Sequence, residues 1–189
     1  MRQIKHTYQD PLELIWLHAA AQMGMRVDRS DKVFASWDGQ GTLTIGTTET
    51  LDPDDTLAQM ILHEMCHALV EGPDAFNKPD WGLDITDPTQ LVHEHAALRL
   101  QAALAASRGL RTFFASTTNA RKYYDALPEE PLLGDDDDQE AAVMARAGFE
   151  RATEGLWAEV LNRALERTSA VAAIVADVAS GDSLWASVR

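Results

Sequence analysis

Two histidines and a glutamate stand close together in the segment His63-Glu64-Met65-Cys66-His67. On a helix, His63 and His67 lie one turn apart on the same face, so both imidazoles can bind one metal ion. Glu64 lies beside them, where its carboxylate can take a proton from a water molecule on that ion. The spacing therefore predicts a metal site with Glu64 as the general base.

A third protein ligand is expected, because catalytic zinc usually binds three side chains and one water molecule. The segment His93-Glu94-His95 lies in the next predicted helix and supplies three candidates. We expect Glu94 to be the third ligand, with His95 and His93 as alternatives and with Asp84 and Asp87 after them. The stripes of the helix through Glu94 and through His95 both carry apolar residues, so periodicity does not decide between them.

Other polar residues can support such a site. Metal-bound histidines generally donate their second ring N–H to a carboxylate or a carbonyl. Asp80, Asp84 and Asp87 are candidates for this role. Tyr123, Tyr124, Arg99 and a histidine of the segment 93–95 that binds no metal are candidates for stabilising negative charge on a substrate. The sequence does not choose among them, and each aspartate also suits a loop or a helix cap.

A metal-free alternative exists for the histidine pair. Both imidazoles can be hydrogen-bonded residues of a helix core, but the carboxylate of Glu64 between them is then costly to bury without a partner. We therefore favour metal binding. Cys66 is interpreted as a small core residue rather than as a ligand.

The predicted elements that position these residues form an α+β, mostly helical fold. Asp-Pro pairs at 10–11, 52–53 and 87–88 are typical of helix starts, because aspartate caps a helix and proline suits its first position. The Asp-Gly pair at 38–39 predicts a hairpin between the last two of three short strands. These patterns give helices at 11–23, 53–71 and 88–108 and strands at 25–27, 32–37 and 42–46.

The C-terminal part is predicted to be helical after an acidic linker. Residues 110–114 are interpreted as a short strand or a buried loop, and 119–127 as a short helix. The linker contains four consecutive aspartates at 135–138, but calcium loops space their ligands and carry a glycine, so we interpret this run as solvated. Two helices at 139–167 and 169–179 follow. We predict three regions: a metal-binding catalytic core at 1–127, the linker at 128–138, and helices that pack on the core at 139–189.

The composition limits the class of protein. A hydrophobic content of 46% in 189 residues fits one globular domain, and no apolar run has the length of a membrane span. The single cysteine fits a reducing compartment, and no export signal is visible, so we expect a cytoplasmic protein. The formal net charge of −14 repels phosphate backbones, so neither a nucleic-acid nor a membrane partner is expected.

The order of helix, three strands with a hairpin, H-E-x-x-H helix, loop and glutamate helix resembles the minimal core of zincin metallopeptidases. The segment Glu94-His95-Ala96-Ala97 is similar to the E-x-x-A segment that carries the third ligand of glutamate-type zincins. This resemblance implies that His63, His67 and Glu94 bind zinc and that Glu64 is the general base. It also implies a peptide or protein substrate.

Two further resemblances concern shorter stretches. The segment Leu62-His63-Glu64-Met65-Cys66-His67-Ala68 is similar to that of SprT-type metallopeptidases, which act on proteins at DNA. The elongation factor P hydroxylase family, which binds iron through two histidines and a glutamate and hydroxylates a modified lysine, has a similar spacing of five segments. In this chain they are His63-Glu64-x-x-His67, Gly72, Asp80-Trp81-Gly82, Glu94 and Gln101-Ala102.

Three functions follow as expectations. The first is a peptidase-like metallohydrolase that uses a zinc-activated water molecule. The second is a non-haem iron protein hydroxylase, because two histidines and a carboxylate suit both zinc and iron. The third is a catalytically silent zincin-like scaffold that serves as an interaction module. The sequence predicts no oligomeric state.

Overall fold

The computed structural model describes residues 5–84, 87–117, 120–134 and 138–188. Within these residues, six α-helices and one three-stranded sheet form a mostly helical α+β fold, which confirms the predicted class. The helices are α1 Pro11–Gln22, α2 Leu57–Glu71, α3 Leu91–Ala106, α4 Arg121–Ala126, α5 Gln139–Glu154 and α6 Ala158–Val175. The strands are β1 Arg26–Ser30, β2 Ala35–Trp37 and β3 Thr42–Gly46. Residues 135–137 of the aspartate run and the helix start predicted at Asn119 lie outside the described residues.

The sheet has the order β1-β3-β2 and is mixed. The pair β1 and β3 is parallel, whereas β2 and β3 form the predicted antiparallel hairpin. Its turn is held by Asp38, whose Oδ1 accepts hydrogen bonds from the backbone N–H groups of Gln40 and Thr42 at 2.6 and 2.9 Å. A Cβ atom at Gly39 would lie 2.8 Å from the backbone of Lys78. The hairpin therefore lies directly against the loop that follows α2.

Helix α2 begins later than predicted. Thr56 is its N-cap, and its Oγ1 accepts a hydrogen bond from the N–H of Gln59 at 3.0 Å. Asp52 and Asp55 instead bond to each other in a turn, since the N–H of Asp52 donates to Asp55 Oδ2 at 2.8 Å. The Asp-Pro pair at 52–53 therefore opens a turn and not the helix. The helix ends at Gly72, as predicted, and is buried along almost its whole length.

Helix α3 lies beside α2 and carries the candidate third ligand. A 3₁₀ turn at Pro88–Gln90, capped by Asp87, precedes it, so the α-helix begins at Leu91. Helix α5 packs across both α2 and α3. The close approach occurs at Gly148, where a Cβ atom would lie 2.9 Å from Leu100 and 3.2 Å from Val70.

The predicted helix at 139–167 is two helices, because the chain leaves the helical path at Gly155. A Cβ atom at this position would lie 2.4 Å from the carbonyl oxygen of Arg151, so only glycine fits there without a shift. Helix α6 then runs through the break predicted near Arg167 and packs on α1. Their contact includes a hydrogen bond from the indole N–H of Trp16 to Thr168 Oγ1 at 3.0 Å.

The segment 110–114 is a buried turn and not a strand, which agrees with the loop alternative. Leu110, Phe113 and Phe114 fill the core beside α1, and Trp16 contacts the ring of Phe114 edge-on. Among the described residues, no helix is both long and apolar enough to cross a membrane.

Candidate metal centre

The side chains of His63, His67 and Glu94 meet between α2 and α3. The Nε2 atoms of the two histidines are 3.2 Å apart. Glu94 contributes one oxygen to each of them, with Oε2 at 3.1 Å from His67 Nε2 and Oε1 at 3.6 Å from His63 Nε2. These residues are the three that the sequence analysis favoured, and their donor atoms all lie within 4.8 Å of one another. They form a group that can hold a metal ion.

The two histidine nitrogens are spaced as two ligands of one ion can be. Ligands that bind zinc at about 2.0–2.1 Å in tetrahedral geometry are about 3.3–3.4 Å from one another. The Nε2 atoms are 3.2 Å apart, and Glu94 places a different oxygen beside each of them, at 3.1 and 3.6 Å. Two imidazole nitrogens and a carboxylate are also a donor set that zinc and iron accept. The residues therefore fit the ion in chemistry and in spacing.

The second ring nitrogen of His63 is held by Gln101. Its Nδ1 lies 2.8 Å from Gln101 Oε1, and the amide nitrogen of Gln101 donates to the carbonyl oxygen of Phe114 at 2.6 Å. In the neutral imidazole this bond keeps the proton on Nδ1, so that Nε2 is the nitrogen that can bind a metal once the second proton has left. The sequence had suggested aspartates for this role. Gln101 could have been found from its position, because it lies seven residues after Glu94 and therefore on the same face of the predicted helix.

The second ring nitrogen of His67 has a different environment. Its Nδ1 is fully buried, and within the described part of the chain no protein group is hydrogen-bonded to it. The imidazole is fixed instead by packing, since the ring lies edge-on to that of His63 with centroids 4.7 Å apart. The two ligands are therefore oriented in different ways, one by a hydrogen bond and one by its contacts.

The metal-free group is an ion pair. Burial opposes a charge on His63, but the Glu94 carboxylate outweighs this effect and raises the pKa of His63 to about 9. Burial likewise opposes the charge on Glu94, but His63 and His67 hold the pKa of its carboxyl well below the usual range. A proton on His63 thus takes the position of positive charge that a metal ion would otherwise supply.

The predicted general base, Glu64, faces the same cleft as the ligands. Only 8% of the residue is exposed, and its Oε2 accepts a hydrogen bond from the indole N–H of Trp81 at 2.9 Å. Among the described residues, Oε1 accepts no hydrogen bond and so retains its capacity to accept one. The sequence analysis did not assign Trp81 a role, because no local pattern links a loop tryptophan to a glutamate on a preceding helix.

Trp81 is held in an unusual backbone conformation. Asp80 and Trp81 have φ values of 45° and 61°, and Gly82 follows with 82°, so three consecutive residues are left-handed. For a residue other than glycine this conformation costs on the order of 1–3 kcal/mol and persists only where the surroundings enforce it. Here Asp80 Oδ1 accepts hydrogen bonds from Ser36 Oγ and the N–H of Trp37, both at 3.0 Å. Asp80 therefore anchors this turn to β2.

The remaining candidates lie outside the group of three. His93 pairs with Glu71, with Nδ1 and Oε1 2.7 Å apart. His95 stacks on Tyr123 with ring centroids 3.6 Å apart and has its Nδ1 3.5 Å from Asp138.

The hydroxyl of Tyr123 donates to Asp138 at 2.6 Å and accepts from Arg99 at 2.8 Å. Burial and the bond to Asp138 raise the pKa of this tyrosine. Tyr124 is buried and donates to the carbonyl oxygen of Arg111 at 2.9 Å. Of the two tyrosines, only Tyr123 lines the cleft.

A cleft of about 680 Å³ gives access to the group. Glu64, His67 and Glu94 line it together with Trp81, His95 and Tyr123. Asp80, Asp84 and Asp87 line the cleft on the side of the loop that precedes α3. The volume is within the range of cavities that bind small molecules or a few residues of a peptide.

Comparisons of this chain with protein-family models, with curated proteins and with solved structures found no match. The interpretation of the site therefore depends on the geometry and chemistry of its own residues.

Proposed function

We propose that this protein is a metal-dependent hydrolase with a zincin-like site. The observation that carries the proposal is the group of His63, His67 and Glu94, whose donor atoms lie within 4.8 Å of one another, with the carboxylate of Glu64 in the same cleft. A metal site and a neighbouring carboxylate that can accept a proton are the two parts that hydrolysis by an activated water requires.

Each residue has a defined task in this proposal. The two imidazoles and Glu94 would hold the ion, and Gln101 orients the ring of His63 so that Nε2 is the nitrogen that binds it. A bound ion would supply a polarised substrate carbonyl and a water molecule of lowered pKa. Glu64 accepts the proton of the attacking water on Oε1, the oxygen that Trp81 does not use. The same carboxyl then donates this proton to the leaving amine.

A peptide or protein is the proposed substrate. The cleft has a volume of about 680 Å³, and apolar side chains such as Leu83, Leu91 and Leu98 line it beside the acidic ones. Zinc is the proposed metal, since two imidazole nitrogens and a carboxylate are a donor set that catalytic zinc sites use. The alternative is an iron-dependent hydroxylase, because the same three residue types also bind non-haem iron.

Two variants test the proposal. In the Glu64→Gln variant the carboxylate can no longer take a proton, so we expect the protein to keep its metal and to lose at least about 100-fold of its peptidase activity. In the His67→Ala variant we expect the metal content to fall. The measurements are mass-spectrometric metal analysis of protein purified without a metal-affinity step, and cleavage of a fluorogenic peptide library. Glu150→Gln, an exposed glutamate on α5, is the matched control.

The outcomes separate the alternatives. If the purified protein contains iron and its turnover requires oxygen, the protein is a hydroxylase and not a hydrolase. Metal binding with no difference between the parent and Glu64→Gln in any assay would leave a scaffold that binds a metal and interacts with partners. If the parent binds no transition metal, the site is a buried ion pair and the proposed function is wrong.

A further inference from the structure

The turn Asp80-Trp81-Gly82 has three features that together bear on the position of Glu64. Its backbone is left-handed at three consecutive positions, its carboxylate is anchored to β2, and its indole donates to the proposed general base. The Trp81 side chain is only 3% exposed, although the residue belongs to a loop. A buried loop tryptophan in a costly conformation requires a compensating interaction.

The ring of Trp81 is clamped from one side by the hairpin. It stacks on Trp37 with ring centroids 4.7 Å apart and an angle of 5° between the planes. The indole N–H of Trp37 in turn donates to the carbonyl oxygen of Phe76 at 2.9 Å. The plane of Trp81 is therefore fixed by the stack, and the direction of its N–H is fixed with it.

The direction of that N–H determines which oxygen of Glu64 it occupies. The bond of 2.9 Å to Oε2 fixes the side-chain torsions of Glu64 and leaves Oε1 as the oxygen that can accept a proton. We propose that Trp81 is the positioning residue of this enzyme, and that the anchored left-handed turn exists to present its indole N–H to Glu64. This inference depends on the proposed function of Glu64.

Removing only the N–H group tests the inference. Trp81→Phe keeps an aromatic ring that can stack on Trp37 but lacks the donor. We expect kcat to fall about 10–100-fold, because a general base that is free to rotate is seldom in the reactive orientation. The metal content is expected to stay within about twofold of the parent, since the hydrogen bond of Trp81 is to Glu64 and not to a residue of the metal group.

Trp16→Phe is the matched control. It also removes a buried indole N–H, the donor to Thr168 on α6, and it leaves the cleft unchanged. We expect its kcat to equal that of the parent, although its thermal stability is lowered. If Trp16→Phe and Trp81→Phe lower kcat equally, the effect of Trp81 is one of general stability and the inference is overturned.

A second variant and a spectroscopic measurement test the inference even if Trp81→Phe does not fold. Asp80→Ala leaves the indole intact and removes the anchor to Ser36 and Trp37, so kcat should fall while the metal content is kept. In a ¹H–¹⁵N spectrum of the metal-free protein, the indole N–H of Trp81 is identified by its absence in Trp81→Phe. This signal should exchange slowly with solvent and move upfield in Glu64→Gln, whereas that of Trp16 stays in place.

The inference and the proposed function fail in different ways. If Glu64→Gln abolishes turnover but Trp81→Phe and Asp80→Ala retain full kcat, only the positioning role is wrong. If Glu64→Gln retains full activity, the proposed function itself is wrong. An indole signal of Trp81 that does not respond to Glu64→Gln contradicts the hydrogen bond on which the inference depends.

Discussion

Gln101 shows how a residue on α3 can determine the chemistry of a ligand on α2. It accepts the proton of His63 Nδ1 and is itself fixed by the carbonyl oxygen of Phe114. Loss of such a supporting bond typically costs about 10–100-fold in metal affinity. We therefore expect Gln101→Ala to weaken zinc binding by this factor, as measured by competition with a chromophoric chelator.

Gln59→Ala is the control for this prediction. Gln59 is also a buried glutamine, 4% exposed, and lies on α2, but it makes no hydrogen bond to either histidine. Its removal leaves a cavity of similar size and an intact ligand set, so the zinc affinity should be that of the parent. An equal loss of affinity in the two variants would contradict a specific role for Gln101.

The ion pair between His63 and Glu94 makes metal binding depend on pH. A metal binds only the neutral imidazole, so below a pKa of about 9 the ion must displace a proton from His63. The affinity should rise about tenfold per pH unit between pH 7 and 9 and then level off. Calorimetry in two buffers of different ionisation enthalpy should detect about one proton released at pH 7. Zinc binding without proton release would show that His63 is neutral in the metal-free protein.

The pKa shifts of His63 and Glu94 also determine how the stability of the metal-free protein changes with pH. The pKa of His63 is raised, so its contribution is complete below its ordinary value of 6.5 and is lost as the pH rises towards 9. The pKa of Glu94 is lowered, so its contribution is complete above 4.5 and is lost as the pH falls. The ion pair therefore stabilises the metal-free protein most between these two ordinary values.

At this scale the sequence predicted which three side chains come together, but not the residues that hold them. Spacing along a helix places His63 and His67 on one face without any knowledge of tertiary contacts. Gln101 and Trp81 act across element boundaries, from α3 and from a loop. Their partners are determined by how the elements pack, and no pattern in the local sequence carries that information.

At the scale of the elements, helix α5 packs closely against both α2 and α3. Gly148 lets it approach Leu100 on α3 and Val70 on α2. Valine at this position would overfill the contact, and overpacking typically costs about 1–3 kcal/mol. We expect Gly148→Val to lower the free energy of unfolding by this amount in urea titrations. Ala147→Val, on a partly exposed face of the same helix, is the control and should have a much smaller effect.

The predicted boundaries of the helices were right where local chemistry determines them. The Asp-Pro pair at 10–11 opens α1 and Gly72 closes α2, as predicted. The prediction was wrong at Asp52, where an identical pair forms a turn because Thr56 is the N-cap. It was also wrong at Gly155, because a single glycine inside an alanine-rich stretch does not reveal that the chain must turn there. The close contact with Arg151 that requires glycine appears only in three dimensions.

For the whole molecule, the question is whether the region before α5 can fold without the last two helices. Helix α5 covers α2 and α3, and α6 covers α1. A chain that ends after Asp138 would expose these surfaces, so we expect it to lose cooperative thermal unfolding in circular dichroism. A chain that ends after Val178 keeps both helices and loses the packing of Leu184, Trp185 and Val188 on the core, so it should be less stable but still unfold cooperatively. A cooperative, metal-binding fragment of residues 1–138 would show that the core is independent.

The placement of the three donor atoms on two packed helices has a consequence for ion selection. Because α2 and α3 are held against each other and against α5, the distance between their side chains cannot widen as that between two loops can. Calcium needs six to eight oxygen ligands at about 2.3–2.6 Å, and magnesium prefers six oxygens. His63, His67 and Glu94 offer two nitrogens and one carboxylate, so we expect this group to bind neither calcium nor magnesium tightly. Calcium and magnesium, although abundant, would then not occupy the group, and scarcer transition metals could bind there.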